Sequence, residues 1–188
     1  MTEANQKWVI LDRDGVINHD SDAYIKSPEE WRLIEGSDTA IAKLNQLGYK
    51  VAVITNQSGI ARAYFTLEAL NQINQKMHDA VTKAGGHIDA VYFCPHGPDD
   101  HCECRKPLSG LFRQFSTEHQ VDLSTCYAIG DSVRDLEAAQ SCECNPILVE
   151  TGKGPRSLAS IAAKPEGHWL QSVPVFANLN AFTDSLSA

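Results

Sequence analysis

The chain has no surplus of positive charge: 16 lysines and arginines stand against 24 aspartates and glutamates, a net charge of −8. That balance argues against a nucleic-acid partner or an anionic membrane surface, both of which require clustered basic residues. Long hydrophobic runs are missing as well, since nothing approaches the ~20 apolar residues of a membrane span. The start, MTEANQK, has neither a basic cluster nor an apolar stretch, so no signal peptide is expected and the expected location is cytoplasmic. Internal repeats, low-complexity tracts and linkers are also absent. Residues 1–188 are therefore expected to fold as one domain, and as a monomer with a small-molecule partner.

What is present is an alternation of strand-like and helix-like stretches. WVIL (8–11), VAVIT (51–55), AVYF (90–93), CYAIG (126–130) and PILV (146–149) have the length and apolarity of buried strands. AIAKLNQLG (40–48) carries apolar residues at helical spacing. In FTLEALNQINQKMHDAVTKAGG, Leu67, Leu70, Ile73, Met77 and Val81 share one helical face. Thr66 is placed to cap that helix and Gly85-Gly86 to end it. Ser109 to His119 and Val133 to Ser141 also read as helices, and SLASIAA and LNAFTDSL as closing ones. Short apolar strands separated by helices predict an α/β fold, a Rossmann-like parallel sheet with helices on both faces.

In such sheets ligands sit beyond the carboxyl ends of the strands. The first strand runs into Asp12, Arg13, Asp14 and Gly15, placing two carboxylates two positions apart. A tight turn uses at most one of them, and the pair calls for a counter-charge. The second strand delivers Thr55, Asn56, Gln57, Ser58 and Gly59, the first four expected to bind substrate, and the strand at 126–130 delivers Asp131, Ser132 and, a turn later, Asp135. Asp131 is also placed to cap the following helix. Asp12, Asp14 and Asp131 are oxygen ligands of the kind Mg²⁺ takes. One carboxylate can act as nucleophile and a second as general acid and base. Thr55, Ser58 and Lys106 can hold phosphate oxygens, and Gly15 and Gly59 are expected to let backbone N–H groups approach them. Arg62 is either a ligand for an outer phosphate or a solvated surface residue.

CPHGPDDHCEC (94–104) places Cys94, His96, Cys102 and Cys104 within eleven residues. Three thiolates and an imidazole form a closed tetrahedral Zn²⁺ set, structural rather than catalytic, with His101 as a competitor to His96. Ordering this loop, 94–106, also orders Arg105 and Lys106, which follow directly. Cys126, Cys142 and Cys144 read as buried or idle thiols.

DRDGV, TNQSG, RKP and GDSVRD, in that order, resemble the four motifs of the haloacid dehalogenase superfamily of phosphatases. The resemblance implies that Asp12 is the nucleophile and Asp14 the acid/base, with the Asp14 backbone carbonyl on the metal. It implies that Thr55 and Lys106 hold the phosphoryl group, Asp131 binds Mg²⁺ and Asp135 supports the site. The segments between motifs one and two and between two and three are too short for a large cap domain. The zinc loop resembles that of a subgroup of these phosphatases, which implies a phosphorylated sugar as substrate, a heptose bisphosphate contacted by Arg105. Histidinol phosphate is the alternative substrate, and a zinc-loop binding module without turnover is the alternative of another class.

Overall fold

The computed structural model describes residues 6–187; the first five residues of the MTEANQK start lie outside the described residues. Six strands, β1 (Trp8–Leu11), β2 (Lys50–Asn56), β3 (Ala90–Cys94), β4 (Tyr127–Gly130), β5 (Asn145–Val149) and β6 (Val175–Phe176), form one sheet in the order β3-β2-β1-β4-β5-β6. Every pairing is parallel. The connections carry helices α1 (Ser37–Gln46), α2 (Leu67–Lys83), α3 (Gly110–His119), α4 (Val133–Gln140) and α5 (Gly154–Ala162), and α6 (Leu179–Ser185) closes the chain.

Successive strand residues point to opposite faces, and this sorts the core. Val9, Leu11, Val51, Val53 and Ile129 pack with Ile41 and Leu44 of α1, Ile73, Met77 and Val81 of α2, and Phe182 of α6. Trp8, Ile10, Ala52, Ile54 and Ala128 pack on the other face with Leu111, Phe112 and Phe115 of α3 and Ala138 and Ala139 of α4. Leu136 and Leu148 continue that packing to Ile161 of α5. With both faces covered, the strands need apolar residues at every position, which is why they read as unbroken runs.

The expected elements are all present, with shifted ends. The Thr66 hydroxyl accepts from the Ala69 N–H at 3.1 Å and caps α2 as expected. Leu67, assigned to the apolar face of that helix, is instead 50% exposed in its first turn. Cys126 precedes β4 rather than lying in it, and β6 was not anticipated. At two residues on the sheet edge, half of them exposed, β6 has too little apolar patterning to announce a strand. Among the described residues no helix is long and apolar enough to cross a membrane.

The chain runs β1, β2, β3 to one side of the sheet, then returns to the centre and runs β4, β5, β6 to the other. The order therefore reverses between β1 and β4. Loops leaving two neighbouring strands in opposite directions open a crevice at their carboxyl ends. Asp12 and Asp131 are the first residues past β1 and β4.

Candidate active site

The Asp12 N–H donates to the Ile129 carbonyl at 2.9 Å, so the β1–β4 ladder continues into the crevice and fixes the Asp12 backbone. Lys106 reaches the same point from the loop after β3. Its Nζ lies 3.0 Å from Asp12 Oδ1 and 2.7 Å from Asp135 Oδ1, and it donates to the Ile54 carbonyl at 2.8 Å. The Lys106 side chain is only 3% exposed. Burial opposes its charge, but Asp12 and Asp135 outweigh that and hold its pKa above the ordinary lysine value. Asp135 uses its other oxygen, Oδ2, to accept from the Ser132 N–H at 3.0 Å. One carboxylate thus caps α4 and anchors the lysine.

Asp131 is held from both ends. Its Oδ2 accepts from the Lys153 N–H at 2.7 Å, and its carbonyl accepts from the Ser157 hydroxyl at 2.7 Å. Gly15 and Gly152 press against the same carboxylate: a Cβ on either would fall 1.9 and 2.2 Å from Asp131 Oδ2, and both have positive φ. Asp12, Asp131 and Asp135 bring carboxylate oxygens within 4.8 Å of one another. Three carboxylates against one ammonium leave two unbalanced negative charges, the charge of a divalent cation. The imbalance appears in the acidities. Burial first, then Asp135 and Asp12, push Asp131 up to about 8. Burial, with Lys106 opposing and Asp135 and Asp14 adding, raises Asp12 to about 6. A hard cation on these oxygens would make the ionised forms the stable ones.

Asp14 is turned to a different set of partners. Gln57 donates to its Oδ2 at 2.9 Å and to Thr55 Oγ1 at 3.1 Å, tying the second carboxylate to the hydroxyl-bearing loop. Thr55 and Ser58 are buried at the cleft floor. Asp12, Asp14, Thr55, Asn56, Gln57, Ser58, Arg105, Lys106 and Asp131 all line one cleft, with Arg62, Arg134 and Lys153 on its walls.

The loop after β3 gathers the second predicted ligand set. Cys94 Sγ lies 3.7 Å from both Cys102 Sγ and His96 Nδ1, and Cys104 Sγ lies 2.9 Å from Cys94 Sγ and 3.2 Å from His96 Nδ1. Four ligands at Zn²⁺ bond lengths of about 2.0–2.3 Å stand ~3.3–3.8 Å apart in a tetrahedron; the two 3.7 Å separations match this and Cys104 stands closer, and three thiols with one imidazole are a donor set that zinc takes. His96, not His101, belongs to this cluster.

The family described as haloacid dehalogenase-like hydrolase matches residues 2–143. The chain belongs to the haloacid dehalogenase-like hydrolases. It is 52% identical over 161 residues to the D-glycero-β-D-manno-heptose-1,7-bisphosphate 7-phosphatase of Bordetella bronchiseptica, covering 86% of this chain and 89% of that protein. Its identity to the Pseudomonas aeruginosa protein of the same name is 52% over 163 residues, 87% and 90% of the two chains. The crystal structure of D,D-heptose 1,7-bisphosphate phosphatase from B. bronchiseptica, complexed with magnesium and phosphate, superposes with a TM-score of 0.89 at 49% identity. That match covers 96% of this chain and 98% of the other.

Two sequence expectations for this hydrolase need correction. The Gly15 N–H donates to the Asn18 carbonyl at 2.7 Å and is not free for phosphate; Gly15 is required by its closeness to Asp131. At Gly59 a Cβ would fall 2.1 Å from the Phe65 ring, so packing against that ring also requires a glycine there. Asn56, expected to touch substrate, spends both side-chain polar atoms on the Lys106 backbone. It donates to the Lys106 carbonyl and accepts from the Lys106 N–H, each at 3.0 Å. It lines the cleft but positions the lysine.

The structure also assigns contacts to residues whose part was not legible. Asp20 pairs with Lys153 at 2.7 Å and Asp22 with Arg156 at 2.9 Å, while the Tyr24 ring packs on Tyr64 at 5.1 Å between centroids. The loop 19–25 is thereby fastened on both sides of the cleft mouth. No local spacing signals these partners, since Asp22 and Arg156 are 134 residues apart.

Proposed function

We propose that the chain is a Mg²⁺-dependent phosphomonoesterase that removes the 7-phosphate of D-glycero-β-D-manno-heptose 1,7-bisphosphate through an aspartyl-phosphate on Asp12. The observation that carries the reading is the Asp12–Lys106–Asp131 arrangement at the strand-order reversal, in a chain about half identical to phosphatases of that name. The carboxylates of Asp12 and Asp131 and the backbone carbonyl of Asp14 would hold Mg²⁺. Bound there, the ion supplies the missing positive charge to the carboxylates and the phosphoryl oxygens.

The protein groups then have separate tasks. The Asp12 carboxylate attacks phosphorus and the bond to the sugar oxygen breaks. Asp14 gives a proton to that leaving oxygen, then takes one from the water that hydrolyses the aspartyl-phosphate. Lys106 and Thr55 hold the phosphoryl oxygens, where charge spreads in the transition state. Cys94, His96, Cys102 and Cys104 would hold zinc, which would keep Arg105 and Lys106 aimed at the cleft.

The cleft walls favour a bisphosphate over histidinol phosphate. Arg62, Arg105 and Arg134 face the cleft and, among the described residues, none is ion-paired with a carboxylate. Such a wall attracts a second phosphate and repels the ammonium of histidinol phosphate. The reading places the protein in the cytoplasm, where its thiols stay reduced, in the nucleotide-activated heptose route that supplies lipopolysaccharide. The test is inorganic phosphate release from heptose 1,7-bisphosphate and histidinol phosphate side by side with Mg²⁺, with Asp12→Asn as blank. A preference for histidinol phosphate would overturn the substrate, and full activity of Asp12→Asn would overturn the nucleophile.

A further inference from the structure

Arg13, the residue between the two carboxylates, is fully buried, at 0% exposure, inside the reactive centre. A buried guanidinium is costly unless its donors are satisfied, so what it is bound to is informative. Its Nε donates to Asp14 Oδ1 at 3.2 Å, and its Nη2 reaches Oδ1 at 3.1 Å and Oδ2 at 3.0 Å. The outer arm of the fork, Nη1, donates to Asn74 Oδ1 at 3.2 Å on α2. Asn18 adds a donor to Asp14 Oδ1 at 2.8 Å, and Gln57 occupies Oδ2. Both Asp14 oxygens are therefore gripped by a planar fork that is itself pinned to a helix packed on the sheet. A planar fork fixes the plane of a carboxylate as well as its place, which a lysine ammonium cannot do.

We propose that Arg13, anchored by Asn74, is a positioning residue for the acid/base step. It does not touch the phosphoryl group; it holds the Asp14 carboxylate in the one orientation from which a proton can pass to the sugar oxygen and from the attacking water. This rests on the phosphatase reading above, and the two can fail separately. Among the described residues the Arg13 side chain makes hydrogen bonds only to Asp14 and Asn74, not to Lys106, Thr55 or Asp12, so phosphoryl binding and nucleophilic attack are expected to survive its loss.

The leaving group separates the steps. A sugar alkoxide needs a proton as the P–O bond breaks, whereas p-nitrophenolate leaves without one. In Arg13→Met, phosphate release from heptose 1,7-bisphosphate is expected to fall about 10²-fold, the scale of a misplaced acid/base group. With p-nitrophenyl phosphate, the first equivalent of p-nitrophenol should appear in a burst within a few-fold of the wild-type rate. Slow turnover follows it, because water activation also needs Asp14. Asn74→Ala, which leaves the fork in place and removes only its anchor, should show the same pattern in weaker form. Asp14→Asn should show it in stronger form, and adding Arg13→Met to Asp14→Asn should cost little more. Equal losses on both substrates with no burst in Arg13→Met and Asn74→Ala, or no loss in either variant, would overturn the positioning role. If the wild type releases phosphate from neither substrate, the phosphatase reading itself fails, and the role of Arg13 with it.

Discussion

Lys106→Met is the most informative single change in the site, because it keeps the length of the side chain and removes only the charge. At 3.0 Å from Asp12 and 2.7 Å from Asp135, each attraction is worth roughly 6 kcal/mol before desolvation at an effective dielectric near 20. Burying the three charges offsets most of that, and breaking a buried pair typically costs about 3–5 kcal/mol. The variant has an escape, which is to protonate a carboxylate. From an ordinary carboxylate pKa near 4, that costs about 5–6 kcal/mol at pH 8 but only about 1–2 kcal/mol at pH 5. Without the lysine, the folded carboxylate pKa values stand further above their unfolded values, so the folded state holds the extra protons and loses stability as pH rises. Urea unfolding of zinc-loaded, Mg²⁺-free protein should therefore show a deficit of about 3–5 kcal/mol at pH 8 that shrinks to about 1–2 kcal/mol at pH 5. Phosphate release should fall by about 10³ or more, as when a preorganised charge at the transition state is removed. A deficit below about 1 kcal/mol at pH 8, or one that does not change with pH, would refute the ion-pair hub.

Other outcomes follow from the same geometry. Mg²⁺ should bind more weakly as pH falls below 8, by about tenfold per unit, because Asp131 is raised to about 8 and must lose its proton first. Calorimetric titration at pH 6, 7 and 8 reads this directly, and a pH-independent affinity would be incompatible with the raised Asp131 pKa. Gly15→Ala should raise the Mg²⁺ midpoint for activity, since its Cβ would displace Asp131. Gly85→Ala, with the same φ of 85 and open space around it, should cost only the ~1–2 kcal/mol of left-handed backbone and leave that midpoint unchanged. Removal of zinc, verified by metal analysis, should lower activity on the sugar substrate; full activity in a zinc-free preparation would remove the loop from the mechanism.

What the chain's text revealed and what it hid divide along a physical line. Asp12, Thr55 and Asp131 were legible because a parallel sheet puts every strand's carboxyl end on one edge, so local patterning implies long-range proximity. The zinc set was legible because its four ligands are crowded into eleven residues. Arg13–Asn74 and Asp22–Arg156 are contacts between elements far apart in sequence, set by how a loop or helix happens to dock, and no spacing encodes them. Gly15 was correctly singled out for the wrong reason, and Gly59 has a packing reason that was not foreseen: a glycine in a motif shows that something comes close, but not what. At Gly15 it is Asp131 and at Gly59 it is Phe65.

The two-way clasp between Asn56 and the Lys106 backbone changes what losing the zinc should look like kinetically. Besides the side-chain contacts to Asp12, Asp135 and the Ile54 carbonyl, the Lys106 backbone has two holds, one through Cys104 and the zinc that its cluster would bind, the other through Asn56 on β2. The Arg105 side chain, one residue nearer the cluster, has a single hydrogen bond among the described residues, from Nη1 to the His96 carbonyl, and His96 belongs to the proposed zinc set. The neighbours therefore do not fail together. When the loop slackens, Arg105 should let go first, weakening the grip proposed for it on the sugar's far end, while the lysine stays stitched to the sheet beside Asp12. Depletion of zinc should appear first as a rise in KM and only later as a fall in kcat.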